Sequence, residues 1–281
     1  MKVGIQGLEG SFHHQAATEF FGDDVEIAPF ENFRQVFEAL ETGVIERALV
    51  GIENSLYGSI NDTYDLLMQH QPIIVGEVYL HVGLHLLAVE SAELTDVTDV
   101  YSQAPALAET KLWMRKNLPS ATLHEYADTA MAARFVSKQG KESSAAVASK
   151  LAGQLHGLIP LAENIEDHEH NYTRFVVLSR EQNTIVDANK TSIVLPISHK
   201  PGALYNALGA FANEGINLSK IESRPIIDEE GWHYQFYIDF DAGITTDPAK
   251  RALASLEETS GKPIILGSYE QGHLPEEVRK S

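Results

Sequence analysis

Apolar positions along the first 180 residues alternate between two periods. Lys2 to Gln6 is a short apolar run that reads as a buried strand, followed by a glycine-rich turn and a helix over Phe12 to Phe21. Val25 to Pro29 is a second strand. Phe33, Val36, Phe37 and Leu40 recur at helical spacing and predict a helix to Glu41. Arg47 to Ile52 is a strand ending in the polar string Glu53-Asn54-Ser55, and Asp62 to His70 is the next helix. Such β-turn-α alternation predicts a parallel sheet with helices on its faces.

Ile73 to Val89 is a long β-rich stretch. Beyond it come a strand at Val97 to Tyr101, a helix over Ala106 to Asn117 and a strand at Leu123 to Tyr126. Asp128 is an N-cap for the helix Thr129 to Gln139, because its carboxylate accepts from free first-turn amides. Ala145 to Ala148 is a strand, Ser149 to His156 a helix, and Thr173 to Leu178 a strand that returns to the first sheet. The pattern predicts two α/β lobes over residues 1–180. Lobe 1 holds 1–73 and 159–180, lobe 2 holds 74–158, and the cleft between them is a natural ligand site.

Residues 181–190 are polar, unpatterned and read as a linker. The module at 191–272 then shows six regular elements: strand Thr191 to Ser198, helix Gly202 to Glu214, strands Asn217 to Ser223 and Tyr234 to Asp241, helix Pro248 to Ser260, and strand Pro263 to Tyr269. Pro201 fits the first helical position, Gly215 the position after the C-cap, and Asp228-Glu229-Glu230-Gly231 a hairpin turn. The βαββαβ order predicts a ferredoxin-like sandwich.

Composition narrows the chemistry. A net charge of −19 argues against nucleic acid and anionic membrane surfaces as partners, though a local cationic pocket can still hold an anion. There is no cysteine, which removes disulfides, thiolate catalysis and thiolate metal sites, and fits a reducing, cytoplasmic setting. The start MKVGIQGLEGSF lacks the apolar run of a signal peptide. His13 and His14, His81 and His85, and His168 and His170 are paired in sequence, but their spacing on strands and turns makes no three-ligand set, so no metal is expected.

Three strings in the first part are candidate binding chemistry. In Asn171-Tyr172-Thr173-Arg174-Phe175 a polar run enters an apolar strand, where Arg174 offers charge and Thr173 a hydroxyl donor; it also reads as an ordinary strand start. Gly51 to Gly58 puts Glu53, Asn54 and Ser55 at a strand end where α/β folds bind ligands; turn chemistry accounts for it equally. Gly7-Leu8-Glu9-Gly10-Ser11-Phe12 is a glycine loop before a helix, whose amides can take a carboxylate, or a tight turn alone. In the C-terminal module, Gly202-Ala203-Leu204 and Glu222-Ser223-Arg224-Pro225 offer the same choice between a ligand site and plain turn structure.

Taken together these residues resemble the prephenate dehydratase family with a C-terminal ACT domain. GALYNALGAFANEGINLSKIESRP, from Gly202 to Pro225, is the most specific match; GLEGSFHHQAA, IENSLYGSINDTYDLL, AAVAS and NYTRFVVL follow in family order. The resemblance implies an α/β fold, with a two-lobed periplasmic-binding-protein-like catalytic domain and a ferredoxin-like ACT domain. It implies a cofactor-free lyase that decarboxylates and dehydrates prephenate to phenylpyruvate. It implies a homodimer or homotetramer inhibited by phenylalanine, and a monofunctional chain. Thr173, Arg174, Asn54, Ser55 and Glu109 are then the expected catalytic set, and Ser11, Phe12, Glu53, Ser102, Asn171 and Phe175 the substrate contacts. Gly202, Ala203, Leu204, Asn217, Leu218, Glu222 and Ser223 are the expected phenylalanine site. The family usually has Pro where Leu8 and Gly51 stand, Ser or Thr at His13, and Gln at Glu109. A protonated Glu109 or His13 is expected to assist hydroxide departure. The alternatives are an arogenate-preferring dehydratase, since Glu109 suits an ammonium, and a non-catalytic amino-acid sensor.

Overall fold

The computed structural model describes residues 1–181, 187–198, 200–228 and 231–274. Residues 182–186 of the predicted linker and the centre of the predicted hairpin, Glu229 and Glu230, lie outside these residues. The chain divides into two compact units, one of residues 1–66 and 78–175, the other of 67–77 and 176–273.

Chain order begins β1 (Lys2–Gln6), α1 (Phe12–Phe21), β2 (Glu26–Phe30), α2 (Phe33–Thr42), β3 (Arg47–Asn54), β4 (Gly58–Ser59), α3 (Asn61–His70) and β5 (Ile73–His81). It continues with β6 (His85–Ala88), a 3-10 turn at Leu94–Asp96, β7 (Asp99–Ser102), α4 (Ala104–Glu109), α5 (Lys111–Asn117), β8 (Thr122–Glu125), α6 (Thr129–Gln139), β9 (Ser144–Ala148), α7 (Lys150–His156), β10 (Ile159–Ala162) and β11 (Tyr172–Ser179). The last elements are β12 (Lys190–Ile197), α8 (Ala203–Asn213), β13 (Leu218–Asp228), β14 (Gly231–Phe240), α9 (Asp247–Thr259) and β15 (Ile264–Tyr269).

The first sheet runs β2-β1-β3-β11-β5, with β4 paired to β3. Pro29 is tolerated in β2 because that strand is an edge and its missing N–H deprives no neighbour. α2 buries Val36, Phe37, Ala39 and Leu40, the stripe its spacing predicts; each large side chain contributes about 1.5–3 kcal/mol. The second sheet runs β10-β6-β9-β7-β8 and is mixed, with β6 antiparallel to both β9 and β10.

The predicted lobe borders shift. β5 belongs to the first sheet and β10 to the second, so the chain crosses after His81 rather than near Ile73, and returns after Ala162 rather than near Ile159. Continuous apolar character in 73–89 hid the crossing, because both strands are buried. The predicted helix 106–117 is instead two. The Thr110 hydroxyl bonds back to the Ala106 carbonyl at 2.9 Å, and Asp167, from a distant segment, accepts from the Leu112 and Trp113 amides. Those bonds end one helix and begin another, and leave Glu109 at the break.

In the second unit, the sheet runs β13-β14-β12-β15, and its β12-α8-β13-β14-α9-β15 order interleaves two βαβ units. Ile193, Leu195, Phe211, Ile238, Phe240 and Leu256 form the core beneath the two helices. Gly202 is the N-cap of α8 at φ +83°, so Pro201 precedes the cap rather than occupying the first helical turn. Gly215, at φ +66°, follows the C-cap Glu214 as the sequence predicts. β13 runs past Ser223 through Pro225, which its edge position permits.

The same unit holds a buried ion pair. The Lys190 ammonium lies 2.9 and 3.0 Å from the two oxygens of Glu77, with side-chain exposures of 1% and 0%. The Gly272 amide also donates to Glu77 Oε1. Lys190→Met strands a buried carboxylate and is expected to lower stability by about 3–5 kcal/mol, read from the urea unfolding midpoint. Adding Glu77→Leu is expected to recover most of that loss, because it removes the uncompensated charge.

Candidate functional site

A cavity of about 400 Å³ lies in the first unit, lined by strands of the first sheet, helix starts and the segments between β5 and β6 and after β7. Ser11, Phe12 and His13 come to it from the start of α1, Gly51 and Asn54 from β3, Thr173 and Phe175 from β11, and Glu109 from the end of α4.

The glycine loop before α1 is held by close packing. Gly10 has φ +91°, and a Cβ there would sit 3.0 Å from Ala152 Cα; Ser149 Oγ donates to the Gly10 carbonyl at 2.6 Å. Ser11 caps α1 by accepting from the His14 amide. The first amides of a helix have no intrahelical acceptor, so this end of α1 offers donors and positive potential to the cavity. Asp128 also lines the cavity while capping α6 through the Ala130 and Met131 amides, and burial pushes its carboxyl up.

A chain of side-chain hydrogen bonds crosses the polar wall. Asn54 Oδ1 accepts from the Leu56 and Tyr57 amides. Its Nδ2 therefore faces the other way, donating to Asn171 Oδ1 at 2.8 Å and to Thr173 Oγ1 at 3.1 Å. Asn171 is fully buried, and its own Nδ2 donates to Glu109 Oε2 at 2.7 Å. Backbone donors thus fix both amide orientations. Thr173 Oγ1 is an acceptor from Asn54, so its proton is left for whatever occupies the cavity.

Glu109 is 8% exposed. Burial pushes its carboxyl up to about 7, the Glu166 carboxylate adds to this, and the Asn171 bond opposes it. With Oε2 occupied, a proton on the acid form sits on Oε1. His13 is the opposite case. Burial holds it down to about 4, its ring lies edge-on to Phe175 at 5.0 Å, and its Nε2 accepts from the Gly51 amide at 3.2 Å. It is neutral near pH 7, which corrects the expectation of a protonated His13 donor. The Gly51 N–H that serves it is one that proline would lack.

Not every expected residue reaches the cavity. Thr173 and Phe175 face it, so Arg174 between them turns to the other side of β11, where it is 4% exposed. Charge at a strand start suggested an anion ligand; strand parity places it elsewhere. Ser55 accepts from the Tyr172 amide and donates to the His170 carbonyl, clasping β3 to the start of β11. Glu53 sits opposite Ser59 in the β3–β4 pair. Ser102 is fully buried and donates to the Val147 carbonyl at 2.6 Å, while its neighbours Gln103, Pro105 and Ala106 line the cavity. Sequence reasoning missed Gln6, Phe33, Tyr57 and Thr129 as lining residues. The first-turn position of Thr129 beside the predicted Asp128 cap was the one signal available.

In the second unit, Gly202, Ala203 and Leu204 form the start of α8. Leu218 packs on the core, Asn217 donates to Asp241 at 2.7 Å, and Glu222 and Ser223 lie opposite Tyr237 and Phe236 in the β13–β14 pair. Among the described residues no three His, Asp or Glu side chains are grouped to hold a metal ion, and no helix is long and apolar enough to cross a membrane.

Residues 3–183 match the family model described as prephenate dehydratase. The chain is 37% identical to the bifunctional chorismate mutase/prephenate dehydratase of Aquifex aeolicus, over 98% of this chain and 75% of that one. It is 39% identical to arogenate dehydratase/prephenate dehydratase 2 of Arabidopsis thaliana, over 96% and 72%. The solved prephenate dehydratase of Arthrobacter aurescens, in complex with L-Phe, superposes with a TM-score of 0.87 at 32% identity, covering 96% of this chain and 90% of that chain. The chain belongs to the prephenate dehydratase family.

Proposed function

We propose that the chain is a prephenate dehydratase, with residues 1–180 catalytic and 191–272 a ferredoxin-like ACT regulatory domain. The observation that carries the catalytic reading is the hydroxyl of Thr173, oriented by Asn54 so that its proton meets the cavity. Prephenate loses its ring carboxylate as CO2: the bond between the ring carbon and the carboxylate breaks, its electron pair enters the ring, and the C–OH bond breaks. A proton on the departing oxygen makes water, and aromatisation drives the step. Thr173 donates a hydrogen bond to that oxygen, and an acidic Glu109 supplies the proton from Oε1 and is reprotonated from solvent. The amides opening α1 take a substrate carboxylate, because no Lys or Arg is among the residues lining the cavity.

Thr173→Val keeps the side-chain shape and removes the donor. Its kcat for phenylpyruvate formation, read by absorbance in alkali, is expected to fall about 10²–10⁴-fold with native circular dichroism. Near-normal turnover sinks the assignment.

A second reading rests on the same wall. A cavity lined by Glu109 and by no Lys or Arg suits arogenate, whose ammonium replaces the keto group of prephenate. The two readings differ in sign. Against prephenate, kcat/KM requires the acid form of Glu109 and falls as pH rises through about 7. Against arogenate, Glu109 pairs with the ammonium as a carboxylate and Thr173 alone assists the departing oxygen, so kcat, which reports the bound state, holds above pH 7. Glu109→Gln is expected to flatten the prephenate profile near neutrality. An unchanged profile removes Glu109 from the mechanism.

Phenylalanine is expected to inhibit by binding at Gly202–Leu204, Asn217, Leu218, Glu222 and Ser223 of paired C-terminal domains in a homodimer or homotetramer. The solved relative with bound L-Phe supports an effector of this kind. Activity and gel filtration with millimolar phenylalanine test it; no change in either refutes it.

A further inference from the structure

The strands that wall the cavity above wall another on their reverse side. Between β5 and β6, Val82 and Leu84 line the first cavity, while His81, Gly83 and His85 line the second. β11 repeats the alternation, with Thr173 in the first and Tyr172 in the second. α1 gives Phe12 and His13 to the first and Gln15 and Glu19 to the second. The second cavity holds about 520 Å³ and lies within the first unit.

Its lining carries both charges. His85 is 7% exposed, and its Nδ1 accepts from the Asn164 amide at 3.4 Å. Burial holds the ring below its usual range, against the Glu163 and Glu166 carboxylates. The neutral ring therefore carries its proton on Nε2, which has no acceptor among the described residues. Lys150, its side chain 61% exposed, adds an ammonium beside it, 3.6 Å from Glu163. Glu19 lines the cavity with no cationic partner among the described residues. His81 and Tyr172 meet edge to face at 5.1 Å and make an apolar wall.

We propose that this second cavity binds a small zwitterion of the α-amino acid type. Lys150 and the His85 Nε2–H take its carboxylate, Glu19 its ammonium, and the His81–Tyr172 ring pair its side chain. Neither half of such a ligand satisfies both sets of groups, so a simple amine or a simple carboxylate fits worse.

The test is ligand-observed NMR with L-leucine, ethylammonium chloride and sodium acetate at constant ionic strength. Leucine is expected to bind at least about tenfold more tightly than either half-ligand. Glu19→Gln and Lys150→Gln, both at exposed positions, are each expected to weaken leucine about fivefold or more, with unchanged circular dichroism. Absence of leucine binding, equal binding of a half-ligand, or undiminished leucine affinity in either variant overturns the proposal. No substrate is used, so the outcome is separate from that of the dehydratase reading.

Discussion

The side chain of Asn171 is the joint on which the first cavity depends. It is fully buried, accepts from Asn54 at the end of β3 and donates to Glu109 at the end of α4. A buried amide with one mismatched partner costs about 1–3 kcal/mol, so its orientation is set by what surrounds it. What surrounds it is backbone: the Leu56 and Tyr57 amides hold Asn54 Oδ1, and every later donor and acceptor follows from that. The direction of the Thr173 proton is thus decided by the turn after β3, in a segment more than a hundred residues away in sequence. The clasp made by Ser55 to His170 and Tyr172 holds the same two strand ends in register.

The electrostatics follow from that joint and from burial. With no Lys or Arg among its lining residues, the cavity relies on helix-end amides for positive potential. In that setting an ionised Glu109 would face a dianionic substrate unscreened by a cation, and desolvation alone already favours its acid form. Had Arg174 reached the cavity, it would have pulled Glu109 down and removed that acid. The parity of β11 and the raised pKa of Glu109 are therefore two parts of one arrangement.

Element types were legible because burial imposes a period, and α1, α6 and β1 lie where that period puts them. What local pattern does not carry is the partner from elsewhere. The break after Glu109 needs Asp167 to cap α5, and the split of the 73–89 run needs two sheets to be present at once. The candidate site was half legible for the same reason. Polar residues at strand ends marked Asn54 and Thr173, and the two-residue period of a strand could have separated Thr173 and Phe175 from Arg174. Ser102 looked like a ligand contact because it stands beside residues that do line the cavity, but a serine that satisfies a buried carbonyl has a structural task.

The departures from the usual family residues also become intelligible as a set. His13, Gly51 and Glu109 all line one cavity, and Leu8 packs on the neighbouring apolar cluster. His13 needs a donor for its buried Nε2, and Gly51 has the N–H that proline lacks. Space matters as well, since a Cβ at position 51 would come within 3.0 Å of Ile60 and 3.6 Å of the His13 ring. A large neutral imidazole in place of a small hydroxyl, a glycine beneath it and a carboxyl across from it change the shape and proton content of the cavity together. His13 and Gly51 are in direct contact, so these two positions act as coupled neighbours rather than as independent variations on a fixed site.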